Sequence, residues 1–511
     1  MAFKEKTKVK QGCRVNANVI GGVILTLSLL VSTAYADTPE RYFNTFKEKS
    51  LGLLGPKSDE NFNKANVTAL SNFEIDRSAI PELPIVTRFD PNITTGISNT
   101  PTIQHLGFNE AILRAVQRNP EISQSIANLA SQNANINVAK AAYYPQISGT
   151  LGTGDLTSGE RGRQVINLSL SQMLYDFGKV KSTVDVQQAR LFAEQANVLV
   201  SMDNVAYQVA NSIVQIKRYQ EITKIAEQQI AGISRITEIA NLRARAGISS
   251  QADPVQAQSY LEASRSNMIV QQTQLRQYQQ KLRTLLGFDV SDLEWSLPEH
   301  LIVESNLYQE PEFNQVPKII LAQSQIEVAK AQLKETRLSN YPTLNVKGSL
   351  SQAINGRNPN NNEDDGFYHS IMLEANSNFY QGGATASRTK AASYAEQAAR
   401  ARMNAEYLNV LDQVRVLREE IKNKQRQMSI LMERKQTAIR TKELYQEQYK
   451  LGTRTAVDLL NAEQSIHSTS QEIESVRYDI YTAIVNYISQ TGRSRDLYEL
   501  NNISIQGFEV Q

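Results

Sequence analysis

Two short stretches concentrate the residues able to do chemistry, and both are built on a glycine. Residues 449–461 read Y-K-L-G-T-R-T-A-V-D-L-L-N and residues 246–256 read A-G-I-S-S-Q-A-D-P-V-Q, so Gly452 precedes Asp458, and Gly247 precedes Asp253, by six positions. The chemistry this spacing offers is hydrogen bonding to helix ends. A helix stops readily at a glycine that takes positive φ, and restarts at an Asp, Ser or Thr whose oxygen accepts from free N–H groups. Asp253 followed by Pro254 is the restart expected in the first stretch, because proline suits the first helical position. Thr453, Thr455 and Asp458 are the candidates in the second. Each stretch predicts the reversal point of a helical hairpin.

Catalytic chemistry has little to stand on. His105, His300, His369 and His467 are scattered, and neither H-E-x-x-H nor G-x-x-x-x-G-K-[ST] occurs. Gly178-Lys179 has Met173 where a phosphate loop needs its first glycine. Gly149, Gly152 and Gly154 read as small residues in a strand and its turn. No enzyme, cofactor or metal is expected. A formal charge of +2 gives no electrostatic case for nucleic acid.

The elements that must position the two turns follow in chain order. Residues 1–36 read as a secretory signal, with Lys4, Lys6, Lys8, Lys10 and Arg14 before an apolar run and Ala34-Tyr35-Ala36 as a small-x-small cleavage site. That run is shorter than a bilayer needs. Cleavage would leave a near-neutral chain of 49 basic and 51 acidic residues. Cys13, the only cysteine, lies before the apolar run, which argues against acylation, and its removal leaves no thiol for a disulfide or a thiolate metal site. Residues 37–104, rich in proline, read as an irregular lead-in. Residues 105–300 and 301–492 then state one pattern twice, and 493–511 form a tail.

Within each copy a helix leads to two strands. In the first the helix covers residues 108–144, and strands follow at 145–154 and 164–176; Ile166, Leu168 and Leu170 alternate there with Asn167, Ser169 and Ser171. In the second the helix starts near Pro317, and strands follow at 342–352 and 368–380. A long helix comes next, 179–246 in the first copy and from Gly382 to Gly452 in the second, with a heptad-like seam of small and apolar residues. Each would extend roughly 100 Å at 1.5 Å per residue. A shorter helix returns at 254–286 and at 458–490. Gly247, Asp253 and Gly287 map onto Gly452, Asp458 and Gly492 with one offset of 205, while Gly178 maps onto Gly382 with 204.

Four amphipathic strands cannot close a barrel, so their edges call for further chains. Periodicity alone leaves two, three or four chains open. Tyr143, Tyr144, Tyr175, Phe177, Tyr341, Phe379 and Tyr380 cluster where strands meet helices, as expected of an aromatic belt at a lipid interface. Asn167, Ser169, Asn345 and Asn376 would line a wet lumen, and Ile166, Leu168, Val346 and Leu373 would meet lipid. A pore-less periplasmic coiled coil that bridges membranes as an adaptor is the structural alternative, and the alternating strands argue against it.

The order helix, hairpin, long helix, glycine turn, helix, given twice, and the segment from Gly452 to Leu460, G-T-R-T-A-V-D-L-L, resemble the TolC family of outer-membrane channel proteins over residues 106–492. The resemblance implies an α+β membrane protein: a homotrimer whose twelve-stranded β-barrel, four strands per chain, stands on a long α-helical coiled-coil tunnel. It implies partners too, namely outer-membrane lipid, a periplasmic adaptor (membrane fusion) protein, and an inner-membrane ABC or proton-driven transporter. The family's closing contacts fall on Tyr449, Arg454 and Asp253, where a guanidinium and a phenol can each hydrogen-bond a carboxylate. Asp458 falls on the family's luminal acidic ring. The second acidic position of that ring is Asn461, and Ala252 rather than a hydroxyl precedes Asp253, so weaker cation selection is expected. The absent lipid-anchor cysteine favours the class that serves type I secretion of proteins, often alongside drug export, over the acylated multidrug efflux class.

Overall fold

The computed structural model describes residues 106–511 apart from 155–162, 299, 310, 359, 379, 502–503, 506–507 and 510–511. The secretory signal, the lead-in and His105 lie outside the described residues.

Helices α1 (Phe108–Arg118) and α2 (Pro120–Lys140) open the fold. One unbroken helix is expected from the apolar spacing of residues 108–144, but Asn119 is extended and Pro120 starts α2. Proline disfavours helical backbone in the residue before it and suits a helix's first turn, so this dipeptide breaks and restarts the helix. Strands β1 (Gln146–Gly154) and β2 (Arg163–Tyr175) lead to α3 (Lys179–Arg245), a helix of 67 residues, and α4 (Ala252–Leu286), one of 35. A short α5 (His300–Glu304) precedes α6 (Pro317–Leu338), β3 (Thr343–Asn355) and β4 (Phe367–Asn376). Then α7 (Ala384–Lys450) again has 67 residues and α8 (Ala456–Gln490) again has 35. The chain closes with α9 (Ser494–Leu497), β5 (Ser504–Ile505) and β6 (Phe508–Glu509).

The entry to each long helix uses two successive residues with positive φ, Phe177 and Gly178 before α3 and Gly382 and Gly383 before α7. Gly178 therefore corresponds to Gly383, not Gly382, and the offset of 205 holds here as well. Phe177 takes a conformation that costs a side-chain-bearing residue roughly 1–2 kcal/mol. Its ring is held between Tyr175, at 4.7 Å, and Tyr341, at 5.6 Å between centroids.

The four long strands form one antiparallel sheet in the order β1-β2-β3-β4, so a strand from each half meets at its centre and both outer edges are unpaired. Strand β4 ends at Asn376, short of the expected 380. Ser148, Ser169, Ser349 and Ser370 make one row across all four strands, joined by hydroxyl hydrogen bonds of 2.8 Å (Ser148 to Ser169) and 2.6 Å (Ser349 to Ser370). Lys347 pairs with Glu374 on that face at 2.8 Å. The opposite face carries Ile147, Leu151, Ile166, Leu168, Leu170, Ile371 and Leu373, all exposed.

The main core lies midway along the long helices. Met202, Val209, Ile213 and Ile216 of α3 pack there with Val410, Val414, Leu417 and Ile421 of α7 and Ile480, Ile484 and Ile488 of α8. Each such aliphatic side chain contributes about 1.5–3 kcal/mol on leaving water. The buried positions of α7 advance by four and three residues, the spacing of a coiled-coil seam. Polar ties join the halves: Asp479 of α8 accepts from Arg218 of α3 at 2.9 Å and from Lys424 of α7 at 2.8 Å.

Candidate functional site

At the end of the long helices away from the sheet, the two glycine turns come together. Gly247 has φ +72° and Gly452 has φ +75°. In both turns the residue after the glycine donates back across the last helical turn, Ile248 to Arg243 O at 2.9 Å and Thr453 to Gln448 O at 3.0 Å. This six-to-one closure satisfies carbonyls that the helix end leaves open, and it requires the left-handed residue glycine supplies. Both glycine stops lie where the spacing puts them.

The restarts differ. In the second turn Thr455 and Asp458 form a reciprocal cap: the Asp458 amide donates to Thr455 Oγ1, and the Asp458 carboxylate accepts from the Thr455 amide at 3.2 Å. The two hydrogen bonds that Thr455 donates to the Asp458 carboxylate, from its amide and from Oγ1 at 2.9 Å, together with the Arg454 charge, hold the Asp458 carboxyl below its ordinary pKa. In the first turn the helix begins at Ala252, before the expected Asp253-Pro254, and the Ala252 amide donates to Ser250 Oγ at 3.1 Å. The N-cap residue, Gln251, makes no side-chain cap, and Asp253 lies in the first turn of α4.

A separate apolar cluster knits the turns. Ile233, Ile236 and Ala240 of α3, Ala257 and Leu261 of α4, Tyr449 of α7 and Ala456, Leu459 and Leu460 of α8 pack together. Tyr449 is only 4% exposed, and its hydroxyl has no hydrogen-bond partner. The Arg243 guanidinium lies 4.7 Å from its ring centroid. Burial raises the Tyr449 pKa, Arg243 lowers it and the negative charge of Asp253 raises it. Asp253 and Tyr449 are thus near enough for their charges to interact, but no hydrogen bond joins them.

Arg454 also stays within its own hairpin. Its Nε donates to Gln448 Oε1 at 3.1 Å, its guanidinium lies 4.6 Å from the Tyr445 ring centroid, and its Nη1 is 3.9 Å from Asp458. A hydrogen bond that does cross between the hairpins comes from Tyr260, whose hydroxyl donates to Asn461 Oδ1 at 2.8 Å. The sequence signals for Arg243, Tyr445 and Tyr260 are faint. Tyr445 does lie one helical turn before Tyr449, a spacing that places both on one face.

At the sheet, Tyr143, Tyr144, Tyr175, Phe177, Tyr341 and Tyr380 are all exposed, and Phe379 lies outside the described residues. Asn167, Ser169, Asn345 and Asn376 fall on the face of the serine row, and Ile166, Leu168, Val346 and Leu373 on the other. Among the described residues no group of three or more His, Cys, Asp or Glu could hold a metal ion, and no helix is long and apolar enough to cross a membrane.

The sequence matches a family model described as "Outer membrane efflux protein" over residues 111–288 and again over 314–493. It is 24% identical over 401 residues to the outer membrane efflux protein BepC of Brucella suis, covering 75% of this chain and 84% of that one. It is 22% identical over 406 residues to the outer membrane protein TolC of Vibrio cholerae, covering 76% of this chain and 91% of that one. The fold is similar to the crystal structure of the outer membrane protein VceC from Vibrio cholerae, with a TM-score of 0.65 at 16% identity over 75% of this chain and 96% of that one.

Proposed function

Because the chain belongs to the outer membrane efflux protein family, a family of channels rather than enzymes, we propose that it is the exit duct of a tripartite export system. It is a protein of the Gram-negative outer membrane. Three copies close a twelve-stranded barrel in the lipid, and their paired helices, each long helix roughly 100 Å, form a tunnel across the periplasm. The observation that carries this reading is the sheet itself: four strands, two unpaired edges, one exposed apolar face and one hydroxyl-lined face. An exposed apolar face of this kind needs lipid, and open edges need neighbours. The long α7 agrees, since Leu408, Val416, Ile430 and Leu444 remain exposed on it.

The tunnel closes at the glycine turns. Asp253, Tyr449 and Arg454 form the periplasmic gate, and Asp458 contributes one carboxylate per chain to a luminal ring. The gate opens when an inner-membrane ABC or proton-driven transporter docks with its periplasmic adaptor. The cargo is protein delivered by type I secretion, small toxic compounds, or both, with the position of Cys13 supporting the first. The test uses the full chain purified from outer membranes. Heat-modifiable trimeric mobility on gels and discrete conductance steps in planar bilayers are expected, and the absence of both overturns the reading. Deleting the gene and comparing secreted proteins with drug sensitivity separates the two cargo classes.

A further inference from the structure

The connection between β3 and β4 folds back over the hydroxyl-lined face of the sheet instead of extending away from it. The helices leave the sheet at the end of Gln146, Tyr175, Thr343 and Asn376, so this connection lies at the opposite end, which is the outer mouth of the barrel proposed above. Val165, Ser351 and Ala353 lie on the same face as the serine row, nearer the connection. Ser148 and Ser169 in that row are exposed, whereas Val165 is 8%, Ser351 3% and Ala353 1% exposed. Something covers the face at its outer end.

Asn358 is part of that cover. It is fully buried, and its side-chain amide donates to Ser351 O at 3.0 Å and Gly366 O at 2.9 Å, with Ser351 Oγ at 3.4 Å. Its Oδ1 accepts from the Asn360 amide at 3.0 Å, and its own amide donates to Glu363 O at 2.9 Å. A buried amide with both ends satisfied is a rigid anchor, since losing either partner leaves a desolvated polar group. The connection is stiffened further by Arg357, which bridges Asp364 with Nε to Oδ1 at 3.1 Å, and by the Asp365 amide donating to Gly356 O at 3.0 Å.

We infer that Asn358 pins the β3–β4 connection across the luminal face and so sets the size limit of the channel at its outer mouth. This rests on the barrel reading, in which three copies bring three such connections into one opening. The mouth is then narrower than the strand count alone dictates, and it filters cargo by bulk independently of the gate at the far end. Asn358→Asp is the sharp test, because a carboxylate cannot donate to the two carbonyls that the amide holds.

With no cysteine after Cys13, Ser351→Cys supplies a single reporter under the pin. On intact cells a membrane-impermeant maleimide should label Ser351→Cys slowly, and about tenfold faster when Asn358→Asp is added, equivalent to ~1.4 kcal/mol less for local opening. In bilayers, with Arg454→Ser present so that the tip does not limit flow, Asn358→Asp should admit larger polyethylene glycols from the outer side. Equal labelling rates and an unchanged polymer cut-off, in trimers that still conduct, overturn the pin alone. Absence of conductance in the unaltered protein overturns the barrel reading instead.

Discussion

Arg454 is held by an amide oxygen, a ring face and one carboxylate at 3.9 Å, all from its own hairpin. None of these is a close bidentate charge pair, so the guanidinium keeps donors free for Asp253 or for a neighbouring chain. In the trimer proposed above, a few such weak contacts repeated by symmetry would make a latch that can open. Arg454→Ser should therefore raise the resting conductance in planar bilayers and sensitise cells to bulky antibiotics; an unchanged conductance removes Arg454 from the gate. Asp458 has a double duty, as half of a helix cap and as the proposed luminal charge. Asp458→Ala should cost about 1 kcal/mol through the lost cap. It should also abolish what block polyvalent cations produce, a block expected to be weak because Asn461 carries no charge. Strong block that persists in Asp458→Ala counts against the luminal ring. The Asp458 carboxyl is held below its ordinary pKa, so its cap contribution is present at neutral pH and is lost only as pH falls through that lowered value.

Helices α3, α7 and α8 meet at a contact only a glycine permits. Glu463 of α8 is nearly buried, paired with Lys442 of α7 at 2.5 Å and with His467 at 3.2 Å, and a Cβ on Gly232 of α3 would lie 1.8 Å from its Oε1. Gly232→Ala must therefore shift the Glu463 carboxylate from its place, at the expense of its contacts with Lys442 and His467. The expected outcome is a loss of about 1–3 kcal/mol, seen as a lower melting temperature of the detergent-solubilised protein; an unchanged melting temperature means the helices yield freely there. This contact also marks the limit of what the chain discloses unfolded. Element order, the two long helices, both glycine stops and the alternating strand faces were legible because each is written in local spacing. Asn119-Pro120 was legible too, in that proline's rule is local, yet the apolar periodicity running through it masked the break. What Gly232 is for depends on a glutamate far along the chain, and what holds Arg454 depends on how Tyr445 and Gln448 turn on their helix.

The far end of the chain returns to the first long helix at a buried acid, and that placement makes the stability of the whole protein depend on pH. Asp203 of α3 is 4% exposed, and neither carboxylate oxygen has a hydrogen-bond partner. Burial pushes its pKa from 3.8 up to about 7; the charges of Arg495 and Lys318 pull it back and that of Asp496 pushes it further. These groups come from α6 and from the segment after α8, so the charge is judged by several elements at once. With the folded value above the unfolded one, the folded protein binds the proton more tightly, and stability falls as pH rises from about 4 to about 7 and then levels. The span of roughly three pKa units sets an upper bound of ~4 kcal/mol on this effect. Asp203→Asn keeps the shape and removes the charge, so it should melt higher than the unaltered protein at pH 8 and converge with it at pH 5. If the unaltered protein melts at one temperature across that range, Asp203 does not carry the raised pKa that its burial implies and is not the source of any pH dependence.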